Sequence, residues 1–140
     1  MHTYVHKVNY YETDKMGITH HSNYIRWMEE ARIDFLSQNN YSYERIEKEG
    51  MISPVLAVDC RYLHSTTFAD EIMIEVCVKE FKGVRLILGY TMKKKGDDTV
   101  IFQGTTEHCF LGADGKPVRM KKEFPELFQL LTQLSNLVNL

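Results

Sequence analysis

The stretch Tyr10 to Arg32 reads YYETDKMGITHHSNYIRWMEEAR. It sets a carboxylate, Asp14, in a polar connection, and then places His21 where a long amphipathic helix is about to begin. The start of a helix presents backbone N–H groups with no intrahelical partner and the positive end of the helix dipole. Such an end can stabilise an oxyanion. A carboxylate held near that point could attack an acyl carbon or activate a water for attack. His21 at the helix entrance could orient substrate or water. These residue types in this order therefore suit acyl transfer. The bland alternative is also open, because a loop aspartate is more commonly a solvated cap or turn residue. Lys15-Met16-Gly17 reads as a turn, so what matters is whether the fold brings these parts together.

The elements that must position them follow from periodicity. Residues 3–9 are predicted to form a first strand, and 10–21 an irregular connection. A helix is expected from His21 or Ser22 to about Ser37, with Ser22 as N-cap. Tyr24, Trp27, Met28, Ala31 and Phe35 recur at three- and four-residue spacing and make one apolar stripe. Arg26, Glu29, Glu30, Arg32 and Asp34 fall off it, and Arg26 can pair with Glu30 across one turn. Asn39-Asn40 reads as a stop, and 42–49 as a short second helix. From Pro54 onward the period becomes two, with predicted strands at 55–64, 72–80, 84–93 and 99–111. The expected inward faces are Leu56, Val58, Cys60 and Tyr62; Ile72, Ile74, Val76 and Val78; Val84, Leu86, Leu88, Tyr90 and Met92; and, in the last, Val100, Phe102 and Phe110 in line with Gly104, Thr106 and His108. Lys82-Gly83, Gly96-Asp97-Asp98 and Asp114-Gly115 supply turns between them. A short strand at 117–121 and a C-terminal helix complete the chain. An antiparallel sheet with one apolar face needs a cover, and the Tyr24–Phe35 stripe is the evident one. The expected class is α+β: one domain over residues 1–140, with an antiparallel sheet wrapped around one long central helix.

Composition excludes several classes. The chain has 140 residues, 44% hydrophobic and 26% charged, which is globular and not disordered. A net charge of −2 gives no basic footprint for nucleic acid. The first residues lack the apolar core of a signal peptide, and no apolar run reaches the roughly 20 residues that span a bilayer. Cys60, Cys77 and Cys109 are odd in number and form no CxxC, so free thiols in a reducing, cytoplasmic setting are expected.

Tyr11, Thr13, Asp14, Gly17, His21, Asn23, Tyr24 and Glu30-Ala31-Arg32 together resemble the hotdog-fold thioesterases, and most of all the 4-hydroxybenzoyl-CoA thioesterase family with its bacterial acyl-CoA thioesterase branch. VDCRYLHSTTFADEI, from Val58 to Ile72, resembles the second strand, turn and third strand of that family. The resemblance extends to about Phe124. It implies a helix wrapped by an antiparallel sheet and an acyl-CoA thioesterase that releases a carboxylate and free CoA. Asp14 matches the family's catalytic aspartate, as nucleophile or general base. His21 matches a histidine of the acyl-CoA branch, and the backbone N–H near it would be the oxyanion site. Gly17, Ser22, Asn23 and Tyr24 shape the turn and helix start. CoA binds at a subunit interface in the family, so a homodimer or homotetramer is implied. Lys15-Met16 and the proline-free HSTTF depart from many relatives and bear on acyl-chain preference. Two other readings stay open: a thioesterase acting on acyl carrier protein, and a hotdog module that binds acyl-CoA without catalysis.

The remaining candidates read more simply as structure. His20 is expected to be solvated, and His64 and His108 to fill strand positions. Glu29 and Glu30 suit an exposed face with Arg26 and Arg32, although another hotdog branch carries its catalytic glutamate on the helix. His20, His21 and Asp14 lack the ligand spacing of a zinc site, and no metal or cofactor is expected. Ser22 lacks a G-x-S-x-G elbow. No glycine-rich phosphate loop occurs, so CoA phosphates would rely on scattered cations: Lys82 and Arg85 first, with Arg119 and Lys121. Lys93-Lys94-Lys95 reads as a solvated hairpin end.

Overall fold

The computed structural model describes residues 3–138. β1 (Thr3–Lys7) and a single 3-10 turn at Tyr10–Glu12 lead to the central helix α1 (Asn23–Gln38). After it come α2 (Tyr43–Lys48), β2 (Met51–Ile52), β3 (Val55–Tyr62), β4 (Glu71–Lys82), β5 (Arg85–Lys94), β6 (Val100–Cys109), β7 (Leu111–Gly112), α3 (Met120–Glu123) and α4 (Pro125–Val138). Five strands form one antiparallel sheet in the order β1-β4-β5-β6-β3. β2 and β7 make a separate two-stranded ladder.

The apolar stripe of α1 lies on this sheet as its spacing requires. Trp27, Met28 and Ala31 are fully buried, and Ile72, Ile74, Val78, Leu88, Met92 and Phe102 meet them in one core. Gly104 on β6 permits the close approach. A Cβ there would stand 2.8 Å from the Phe102 ring, 2.9 Å from the Asp59 carbonyl and 3.0 Å from the Met28 sulfur. Two irregularities keep the inward face continuous: a bulge between Val78 and Glu80 in β4, and one at Ile101 in β6. The second buries Ile101 and Phe102 side by side, which strict alternation would not do.

The structure corrects five expectations. The inward face of β3 is not buried: Leu56, Val58 and Tyr62 are exposed and Cys60 is half-buried. β3 is an edge strand paired only with β6, and α1 packs mainly over β4 and β1, toward the opposite edge of the sheet, so that it reaches β3 at Tyr62 through Tyr24. β3 also ends at Tyr62, so His64 sits in an exposed bend. Residues 117–121 form no strand. Pro117 makes one bridge to Leu111, and the Arg119 N–H then donates to the Glu123 carboxylate, which opens α3. Ser22 does not cap α1, because it already has helical dihedrals (φ −64°, ψ −24°) and its hydroxyl pairs with His20 Nδ1. Glu30 turns away from Arg26. It accepts the Tyr4 hydroxyl at 2.9 Å and lies 3.4 Å from His6 Nδ1. No helix among the described residues is long and apolar enough to cross a membrane.

Candidate active site

Asp14 opens a tight hairpin. Thr13 bridges Thr19, the Asp14 N–H donates to the Ile18 carbonyl at 2.9 Å, and the Gly17 N–H donates to the Asp14 carbonyl at 2.9 Å. Gly17 closes the turn at φ +79°, a conformation that favours glycine. This explains the Asp-x-x-Gly spacing. One carboxylate oxygen of Asp14, Oδ1, accepts the Met16 N–H at 2.8 Å. Its other oxygen meets no donor among the described residues, and the side chain is half-buried.

The hairpin is braced from behind. The Thr67 hydroxyl donates to the Gly17 carbonyl at 2.7 Å, and the Thr19 N–H donates to the Thr66 carbonyl at 2.8 Å. Thr66 is buried and its hydroxyl meets both the Thr19 hydroxyl, at 2.6 Å, and the Tyr24 hydroxyl, at 2.9 Å. One buried threonine therefore links the Asp14 hairpin to the first turn of α1. Burial pushes the Tyr24 phenol above its usual range, so it stays a neutral hydrogen-bonding group.

The second brace is Glu12, which sequence reasoning passed over. Its carboxylate accepts the Trp27 indole N–H at 2.7 Å, the Asn9 N–H at 2.8 Å and His6 Nε2 at 2.9 Å. Its backbone carbonyl accepts the His20 N–H at 2.8 Å and the Asn23 side-chain amide at 3.0 Å. Burial pushes the Glu12 carboxyl up, but the bonds from Asn9, His6 and Trp27 outweigh it and hold the group below the usual carboxylate range. The inward alternation of Tyr4, His6 and Val8 could have flagged His6. The local signal for Glu12 is the Asn9-x-x-Glu12 capping box, which the structure forms.

At the helix entrance the His20 carbonyl accepts the Asn23 N–H, and the His21 carbonyl accepts the Tyr24 N–H and the Tyr62 hydroxyl at 3.1 Å. Burial, then the hydrogen bond with Cys60, pushes Tyr62 up to about 12, so this donor keeps its proton at neutral pH. The His21 N–H itself meets no acceptor among the described residues. Its ring is exposed, stacked on His20 at 4.3 Å. His21 and Tyr24 line a cleft of about 280 Å³ with Ile18, Thr19, Tyr62 and His64. Asp14 is not in that wall; it stands on the other arm of the hairpin, directly across from Ile18, whose carbonyl accepts its N–H.

The fold thus ties Asp14, Gly17, His21, Asn23 and Tyr24 into one braced unit. Lys82 and Arg85 are placed elsewhere, at the β4–β5 turn, while the ladder partner of Lys7 is Glu71 at the other end of β4. That is roughly 35 Å of strand at ~3.3 Å per residue. Lys82 pairs with Glu80 at 3.0 Å and Arg85 with Glu107. The cations nearer the hairpin's brace are Lys94, 3.5 Å from Asp70, and Lys95, 3.4 Å from Glu71.

Comparison with known proteins bears on the family and the fold. The profile of the Thioesterase-like superfamily matches residues 8–129. The chain is 28% identical over 120 residues to a Bacillus subtilis protein named "Putative acyl-CoA thioesterase YneP", covering 86% of this chain and 87% of that one. It is 27% identical over 130 residues to the acyl-CoA thioesterase YbgC of Haemophilus influenzae, covering 89% and 92%. Its fold superposes on a DHNA-CoA thioesterase from Staphylococcus aureus with a TM-score of 0.91 and 30% identity, covering 98% of this chain and 92% of the other. The match spans both the Asp14 hairpin and the helix it faces, and the chain belongs to the thioesterase-like superfamily as a hotdog-fold thioester hydrolase.

Proposed function

We propose that this chain, read as one domain, is an acyl-CoA thioesterase whose reaction is centred on Asp14 and the start of α1. The observation that carries the reading is the unpaired His21 N–H at the positive end of α1, bound through Glu12 and Thr66 to the hairpin that carries Asp14. The free carboxylate oxygen of Asp14 attacks the thioester carbonyl, or takes a proton from the water that does. Charge develops on the carbonyl oxygen, where the His21 N–H and the helix dipole lower its energy. Collapse of that intermediate expels the CoA thiolate, which takes up a proton. Where water attacked, the acid is left and ionises to the carboxylate. Where Asp14 attacked, an acyl–aspartyl anhydride is left, which a water then hydrolyses to the carboxylate and free Asp14. His21 orients the reacting groups. Acyl-CoA relatives in the comparison support this carrier.

The same proposal includes a homodimer or larger homo-oligomer. Val55, Leu56, Val58 and Tyr62 on β3, and Ile25 on α1, stand between 41% and 55% exposed. An uncovered apolar edge strand of this kind invites a second copy. In the assembly, Lys82 and Arg85 remain the proposed contacts for the nucleotide phosphates and would have to reach CoA bound to the neighbouring subunit's hairpin. The free thiols suit a reducing, cytoplasmic setting.

The test is kcat/KM by thiol release for a panel of acyl-CoAs, and for one acyl group on CoA, on pantetheine and on acyl carrier protein. CoA should exceed both truncated and protein-borne substrates, because pantetheine forfeits remote binding energy and a net charge of −2 gives no basic dock for an acidic carrier. A higher value on the carrier protein would replace acyl-CoA as substrate. No turnover of any thioester, with acyl-CoA still bound, would leave a binding module. Sedimentation at micromolar concentration checks the assembly, and a fully active monomer would end the shared-interface proposal.

A further inference from the structure

The C-terminal half of α1 covers a second cavity, of about 150 Å³, walled by Leu86 and Leu88 of β5, Phe110, and Leu127 and Leu131 of α4. It shares no wall residue with the cleft at His21. Five polar side chains also line it: Glu29, Arg32, Tyr43, Ser53 and His108. The Arg32 side chain is only 14% exposed. One of its N–H groups donates to the Tyr90 hydroxyl at 3.2 Å. The nearest carboxylate, that of Glu29, lies 3.9 Å away, beyond hydrogen-bond reach. A guanidinium has five N–H donors and the described residues take one of them, so Arg32 brings spare donors and a positive charge, offset in part by the more exposed Glu29, to the wall of a mostly apolar chamber.

The polar chain behind it has a direction. Arg32 donates to Tyr90, whose hydroxyl meets Thr106 Oγ1 at 2.6 Å, and Thr106 Oγ1 meets His108 Nε2 at 2.8 Å. With each hydroxyl donating once, Nε2 of His108 accepts and its proton sits on Nδ1. His108 is 2% exposed; burial and then the Arg32 charge push it down to about 4, so it is a neutral donor at pH 7.

We infer that this cavity is a second binding site, for a small hydrophobic carboxylate whose acid group pairs with Arg32 and whose body fills the Leu86–Leu88–Phe110–Leu127 chamber. The volume suits one ring, since an apolar cavity of about 150 Å³ binds benzene. The donor set suits a planar carboxylate, which takes the arginine fork in two parallel bonds. The ligand class is argued from the cavity's own walls and stands apart from the proposed reaction.

The probe is 4-fluorobenzoate, titrated at pH 7 into the full chain and followed by fluorine NMR and by melting temperature. We expect saturable binding in the millimolar range or tighter, with a rise in Tm. 4-Fluorobenzyl alcohol, the same ring without the charge, should bind at least tenfold more weakly. Arg32→Met, which keeps the stem, should lose tenfold or more, and Leu88→Phe, which fills the chamber and keeps Arg32, should lose as much. Saturating CoA should leave the binding unchanged. Absence of saturable binding to the wild type overturns the inference. So does binding that survives Leu88→Phe, an alcohol that binds as well as the acid, or displacement by CoA, which would put the probe in the cleft at His21. If Arg32→Met fails to fold, the alcohol comparison and Leu88→Phe decide the matter alone.

Discussion

The two halves of α1 do different work with different materials. At its N-terminal end the functional atoms are mostly backbone: the His21 N–H, the Glu12 carbonyl that holds His20 and Asn23, and a hairpin closed by Gly17. All come from one stretch of about a dozen residues, exposed to solvent and braced by Thr66. In the C-terminal half the functional atoms are side chains from three elements, Arg32, Tyr90, Thr106 and His108, brought together in a closed core. A helix start supplies its field whatever the side chains are, so chemistry there needs only a loop of the right shape. A buried polar chain has no such default and depends on every member being present.

That contrast breaks first at Asp14. Asp14→Asn should lower kcat at least ~10²-fold while Tm stays within error, because a nearly isosteric amide can neither attack nor accept the proton. Steady-state kinetics beside a thermal melt reads both. Near-normal turnover would move the burden to another group.

Glu12→Ala should damage fold and turnover together. It strands the Trp27 indole N–H and the Asn9 N–H, and leaves His6 with Glu30 alone, at a cost of about 3 kcal/mol. Denaturant titration measures it. A loss under ~1 kcal/mol would mean that the brace is not holding the hairpin.

At the other half the expected signature is pH. His108 titrates at about 4 when folded and near 6.5 when unfolded, so below 6.5 the unfolded chain binds a proton that the fold refuses. Stability should therefore fall as pH drops from 6.5 to 4, by at most about 3 kcal/mol, and His108→Gln should flatten that slope. Glu12, held below its usual range, is fully stabilising above about 4.5, and its contribution is lost as pH falls below that value. The two groups thus separate on a stability–pH curve. An unchanged slope in His108→Gln would show that His108 is protonated in the fold.

The smallest effect should be His21→Ala. The proposed oxyanion donor is its backbone N–H, which alanine keeps, so kcat should fall less than about tenfold. A loss larger than that of Asp14→Asn would reverse the two roles.

Where the sequence reading fell short, the reasons are specific. The alternation of Leu56, Val58 and Tyr62 was correctly strand-like, yet the face it marks is exposed, because period two reports a strand with one apolar face and not what covers it. Ser22 was the obvious cap by type, but its hydroxyl is taken by His20 two residues earlier. Arg32 looked like a solvated position on the helix and is 14% exposed, because the chamber under α4 lies beneath it. Lys82 and Arg85 carry charge at a turn, and their distance along β4 from the hairpin is set by a ladder that the sequence does not display.

The sequence by itself determined the helix with its Tyr24–Phe35 stripe, the antiparallel strands, the Asp-x-x-Gly turn and the position of His21 just ahead of Asn23. Each of these is local: helical spacing, alternation and a glycine at positive φ act within a few residues of the chain. Only the tertiary structure decided that Glu12 and Thr66 would clamp the hairpin to the helix, that β3 would be the open edge, and that Arg32 and His108 would meet across a cavity. Those outcomes depend on which distant groups share a low-dielectric interior. There an unmet donor or carboxylate is costly enough to select its partner, and the spacing of residues along a chain carries no record of that choice.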